Sequence, residues 1–130
     1  MSIAQYIGLN YLPKGRTAEG VDCWGLVQLF YRNELHLDVP SYDDQYLNPT
    51  DRGSVSKTII DNMGHWAKVQ EQEYGDVLLF EILGLPLHTG IYIGDGDFLH
   101  AFKNTNSCIE RLKSITWNRR LLGAFRWTKV

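Results

Sequence analysis

The sequence predicts an α+β fold in which N-terminal helices pack on one face of a five-stranded, mainly antiparallel sheet. Three observations carry this. Cys23, Leu26, Val27, Phe30 and Tyr31 recur at the spacing of a buried helical face, and the second half shifts to short segments rich in β-branched and aromatic residues. The helical patterns come first and the strand patterns after, without the alternation a parallel sheet requires. At 130 residues the chain suits one domain spanning 1–130 and is short for two of ordinary size.

In chain order, residues 2–9 suit a short amphipathic helix, with Ser2 as N-cap and Ile3, Tyr6 and Ile7 on one face. "YLPKGRTAEGV" then reads as a loop, because Pro13, Gly15 and Gly20 break regular structure ahead of Asp22. The helix from Cys23 has Asp22 as a suitable N-cap. "DVPSYDDQYLNPTDRG" reads as an irregular surface excursion that lines a groove. A second helix is expected from Ser54 to about Ala67, with Ile59, Ile60 and Met63 as apolar positions and Gly64 limiting its length. The five strands are "DVLLFEI", "HTGIYIG", "DFLHAFK", "SCIERL" and "LLGAFRW". No internal repeat or low-complexity segment interrupts them.

Composition excludes several classes of function. The 13 basic and 15 acidic residues leave a net charge of −2, which gives no general attraction to nucleic acid or to an anionic membrane surface. A local basic strip, Arg111, Lys113, Arg119 and Arg120, reads as a solvated face. No apolar run approaches the ~20 residues of a membrane-spanning helix, so no membrane insertion is expected. The first residues lack a charged region followed by a long apolar core, so no secretory signal is expected either. Two cysteines 85 positions apart make no disulfide framework.

Chemistry centres on Cys23. At the first position of a helix, unpaired N–H groups and the helix dipole favour the thiolate. A small buried hydrophobe is the competing reading, and position alone leaves both open. A nucleophile also needs a base. His36 and His65 suit solvated or capping roles, whereas His88 and His100 lie on consecutive strands joined by "GDGD".

Strand parity makes that pair a sharp expectation. A plain two-residue Asp95-Gly96 turn puts the two histidines on opposite faces; one extra residue, as a longer loop or a glycine bulge, puts them on one face. Aligned, His88 would take the Cys23 proton and His100 would orient His88, giving a resting thiolate–imidazolium pair. Zinc is the competing use of Cys, His and His, but the close ligand pairs usual in zinc sites are missing, and Asp95 and Asp97 read as turn formers. Cys108 suits burial in a strand.

"GVDCWGLVQLFY" with "HTGIYIGDGDFLHA" resembles the paired signatures of the NlpC-type cell-wall cysteine peptidases, which have a papain-like fold. Tyr11, twelve residues before Cys23, and the Gly75-Asp76 pair extend the likeness over most of 11–102. The resemblance implies Cys23 as nucleophile, His88 as base and His100 as third polar residue. It also implies Tyr11 near the oxyanion, with Asp22 and Trp24 flanking the substrate site. It implies no cofactor. The implied substrate is a stem peptide of bacterial peptidoglycan, cleaved at an amide such as that between D-glutamate and a diamino acid. "LPKG" after Tyr11 departs from the usual aromatic and double glycine.

The "DCWGL" form is similar to the phage-tail branch of the family. That likeness, with no secretory signal, implies a virion protein of the tail tip, assembled in the host cytoplasm beside tail-tip or hub proteins and acting at the cell wall. The alternatives are a structural or tail-assembly protein that keeps the fold with weak, gated or no hydrolysis, and a hydrolase delivered against rival bacteria.

Overall fold

The computed structural model describes residues 3–46, 51–103 and 105–128. Ser2 and residues 47–50 of the excursion, named above, lie outside them. The chain opens with a 3-10 turn, Ile3–Tyr6, that packs Tyr6 on Phe30 at 5.4 Å between ring centroids. The longer helix expected over 2–9 does not form. Gly8 at φ 83° turns the chain and its N–H donates to the Ser107 carbonyl, leaving Ile7 46% exposed.

Within the expected loop, β1 (Arg16–Thr17) and β2 (Gly20–Val21) make a minimal hairpin. Helix α1 (Cys23–Phe30) follows as the periodicity predicts, buries Leu26, Val27 and Phe30, and passes into a π-helical turn, Tyr31–Leu35. His36 at φ 55° ends it, which is a capping role.

Helix α2 (Arg52–Asn62), capped by Asp51, and a 3-10 turn at Met63–His65 lead into β3 (Trp66–Val69). The helix expected to reach Ala67 therefore stops early. Trp66 is taken by the last strand, pairing with Trp127 and packing on it at 4.8 Å. Ile60 and Met63, expected to be apolar anchors, are 57% and 37% exposed.

The remaining strands match the five expected ones: β4 (Val77–Ile82), β5 (Leu85–Gly94), β6 (Asp97–His100), β7 (Cys108–Arg111) and β8 (Leu121–Trp127). With β3 the sheet has six strands in the order β3-β8-β4-β5-β6-β7, all pairs antiparallel. Asp76, nearly fully buried, ties two neighbouring strands of it together. Its carboxylate accepts from Arg126 Nε at 2.9 Å and Nη2 at 2.8 Å, fastening the start of β4 to the end of β8.

Two apolar layers sandwich the sheet. On one face α1 packs on β5, with Leu26, Val27 and Phe30 against Val77, Ile91 and Leu99; each such side chain contributes roughly 1.5–3 kcal/mol by leaving water. On the other face Leu78, Phe80 and Phe98 meet Leu112 and Trp117. Gly25 sets how closely α1 lies on the loop before it, since an added Cβ would stand 1.8 Å from the Gly15 carbonyl oxygen. The basic residues Arg111, Lys113, Arg119 and Arg120 are exposed, as a solvated face should be. Among the described residues no helix is long and apolar enough to cross a membrane.

The β5–β6 connection decides the histidine question. Asp95 and Gly96, at φ 54° and 81°, form a two-residue turn, but Gly94 at φ 96° accompanies a register slip. Ile91 pairs with Leu99 and Tyr92 with Phe98, whereas Gly94 pairs with Asp97, so Ile93 is the extra residue. The slip puts His88 and His100 on one face.

Candidate active site

The site begins with Asp22. Its backbone is extended and its carboxylate caps α1, with Oδ1 accepting from Gly25 N at 2.8 Å and Arg16 Nη1 at 2.7 Å. Oδ2 accepts from Lys14 N at 2.9 Å and from the Tyr46 hydroxyl. Arg16 continues to Ser41 Oγ at 2.8 Å and to the Tyr46 hydroxyl at 2.7 Å. A carboxylate only 1% exposed is thus fully satisfied, and the next residue is Cys23.

Cys23 is the first residue of α1. Two effects oppose each other there: the helix terminus favours the thiolate, and burial disfavours it. Burial wins. The thiol is pushed up, first by burial and then by the Asp22 carboxylate, against smaller pulls from Thr89 and Arg16. Thr89, whose hydroxyl has no conventional partner, is the polar group facing the sulfur.

Tyr11 is bridged to Val21 and lies close enough to feel both Cys23 and Asp22. Burial first, then those two groups, push its phenol up, so it stays a hydrogen-bond donor at neutral pH. Trp24 donates from Nε1 to the Pro40 carbonyl at 2.8 Å and packs on Tyr42 at 5.3 Å and Trp66 at 5.6 Å. The described part of the excursion does line a groove. Tyr42 and Tyr46 border the same mainly apolar cavity as Tyr11, Cys23, Trp24 and His88, and α2 closes one side through Val55 and Ile59.

His88 and His100 form a row. His88 Nε2 lies 2.7 Å from His100 Nδ1, and His100 Nε2 lies 2.6 Å from Glu110 Oε2, which also accepts from Trp117 Nε1 at 3.0 Å. Trp117 walls both rings, at 5.3 Å from His88 and 4.9 Å from His100. Burial lowers the His88 pKa well below its usual range, with His100 adding to the effect. His100 is also lowered by burial, partly offset by Glu110.

The structure thus gathers the six expected residues into two groups, five of the six lining one cavity and His100 standing behind His88. Tyr11, Asp22, Cys23 and Trp24 surround the start of α1, while His88 and His100 sit on the sheet. The register turns both imidazoles toward Phe80 and Phe98, on the face opposite the α1 layer. Among the described residues no hydrogen bond joins the thiol to His88. The resting ion pair expected from the sequence is therefore corrected: the Cys23 thiol is pushed up and the His88 imidazole down, each toward its neutral form.

Glu110, Trp117, Arg16, Tyr46 and Thr89 were not found by sequence reasoning. Parity could have flagged Glu110, which pairs with Phe98 and so shares the face of His100, but the register across the β6–β7 connection is set by packing. Cys108 stands half-buried in β7, opposite His100. One ligand atom each from His100, Cys108 and Glu110 lie within 4.8 Å of one another, a set suited to a soft divalent ion at the expense of the His100–Glu110 contact.

Comparison with known proteins gives a coherent result. The model of the NlpC/P60 family matches residues 8–126. The murein DD-endopeptidase MepS/murein LD-carboxypeptidase of Escherichia coli K12 is 30% identical over 125 residues, covering 95% of this chain and 58% of that protein. The γ-DL-glutamyl hydrolase of Bacillus subtilis is 31% identical over 130 residues, covering 97% of this chain and 28% of the hydrolase. The chain thus spans little more than half the length of one curated relative and under a third of the other. An NlpC/P60 family protein from Bacillus cereus superposes with a TM-score of 0.68 at 24% identity, over 95% of this chain and 37% of that one.

The lowered His88 pKa has a consequence for stability. Below about pH 6.5 the unfolded chain takes up a proton that folded His88 refuses, so stability is held above that pH and lost as pH falls. Urea unfolding at pH 7 and pH 5.5 should show the wild type losing up to about 1.4 kcal/mol per pH unit from this group, a loss reduced in His88→Gln. Parallel losses in the two proteins would contradict it.

Proposed function

The chain belongs to the NlpC/P60 family, and from that premise we propose that it is a cysteine peptidase hydrolysing an amide in the stem peptide of bacterial peptidoglycan. The observation that carries the reading is the placement of Cys23 at the start of α1, on a cavity also bordered by His88, which His100 backs. The relatives point the same way, since two are named for murein endopeptidase and γ-glutamyl hydrolase activities. The bond we favour joins D-glutamate to a diamino acid.

In this mechanism the peptide enters the cavity, Cys23 and His88 come within hydrogen-bond reach, the thiol gives its proton to His88, and the sulfur attacks the scissile carbonyl carbon. The tetrahedral oxyanion takes a hydrogen bond from the Tyr11 hydroxyl, which its raised pKa keeps protonated. His88 returns the proton to the leaving amine, and water, deprotonated by the same imidazole, clears the thioester. Asp22 holds α1 in register with the loop carrying Tyr11, and Trp24 shapes the cavity wall. No step calls on a cofactor.

We further propose that the protein acts from a phage tail tip, on the support of the Asp22-Cys23-Trp24-Gly25-Leu26 run. Mass spectrometry of purified virions should find it among the tail proteins; its absence from particles would overturn this assignment.

The hydrolytic reading is tested with purified peptidoglycan. Wild-type protein should release fragments ending in D-glutamate, Cys23→Ala none, and Tyr11→Phe should release them about 100-fold more slowly. Equal release by wild type and Cys23→Ala would overturn it. No release by either folded protein would favour the tail-assembly alternative.

A further inference from the structure

The row of hydrogen bonds behind His88 ends on a group that sets its direction. We propose that Glu110 is a positioning residue that acts through His100 to hold His88 in the tautomer whose Nδ1 lone pair is free to accept the Cys23 proton. The inference rests on the reading of Cys23 as nucleophile and His88 as base.

The hydrogens along the row can be counted, and the count fixes its direction. An ionised carboxylate only accepts, so the 2.6 Å contact between Glu110 Oε2 and His100 Nε2 requires the hydrogen to sit on Nε2. A neutral imidazole carries one such hydrogen, so His100 Nδ1 is an acceptor. The 2.7 Å contact to His88 Nε2 is then donated by His88, which leaves His88 Nδ1 without a hydrogen. That nitrogen has no hydrogen-bond partner among the described residues, and His88 borders the cavity that holds Cys23.

Trp117 reinforces the direction. An indole N–H only donates, and at 3.0 Å it reaches the same Oε2, so two donors converge on one oxygen and fix Glu110 as the acceptor end. Both imidazoles are about 2% exposed, and burial favours their neutral forms, for which the count holds. The reversed row would put the hydrogen on His88 Nδ1. It would leave no lone pair for the thiol proton, so the polarity is a condition of the chemistry.

The test is a ring-nitrogen NMR spectrum of the full chain labelled with 15N-histidine at neutral pH, for wild type, Glu110→Gln and Glu110→Leu. Glutamine keeps an acceptor oxygen in place; leucine removes it. His88 and His100 should both be Nε2–H tautomers in wild type and Glu110→Gln. In Glu110→Leu the Nδ1–H form should appear on His100 and, through it, on His88. An Nδ1–H form on either ring in the wild type would overturn the proposal, and so would unchanged tautomers in folded Glu110→Leu. Should Glu110→Leu fail to fold, the wild-type and Glu110→Gln spectra still decide. The spectra need no substrate, so they separate this inference from the peptidoglycan reading, whose failure is seen only in released fragments.

Discussion

The buried carboxylate of Asp22 is the constraint on which the site depends. It accepts four hydrogen bonds from three separate stretches of chain: the loop through Lys14 and Arg16, the helix through Gly25, and the excursion through Tyr46. Removing one partner of such a buried pair generally costs about 3–5 kcal/mol, because the other charge stays behind without compensation. Here the cost would fall on geometry as well as stability. Tyr11 precedes the loop that Asp22 holds, Cys23 follows Asp22 directly, and Tyr42 and Tyr46 line the same cavity.

The helix terminus and the burial of the thiol pull in opposite directions at Cys23, and burial, joined by the Asp22 carboxylate, pushes the thiol up. The same holds on the sheet, where an aromatic enclosure of Phe80, Phe102 and Trp117 keeps His88 neutral. Under the proposed mechanism, these two neutral partners bordering one cavity become charged only in use. In that mechanism the energy of separating charge falls within the reaction, where a bound peptide excludes water and Tyr11 offers a donor to the oxyanion.

Much of this was legible in the sequence, and the limits have physical causes. Helix α1 was readable because its apolar period and its cap agree, and five strands were readable because glycine, proline and asparagine separate them. The parity question at Gly94–Asp97 could be posed but not answered, since a plain turn and a bulge suit the same glycines. The strand at Trp66–Val69 was hidden because its extended state depends on Trp127, some sixty residues on. Arg16 with Tyr46, and Glu110 with Trp117, were hidden for the same reason. A charged or aromatic residue in a loop-rich stretch carries no mark of its partner until the register of the surrounding strands is set.

The measurement that tests the account most directly is covalent capture with a chloromethyl ketone built on the D-glutamyl stem peptide, mapped by peptide mass spectrometry. The account predicts attachment to Cys23 rather than Cys108, and a much slower reaction in His88→Ala. Attachment at Cys108, or a Cys23 rate that ignores the loss of His88, would contradict it.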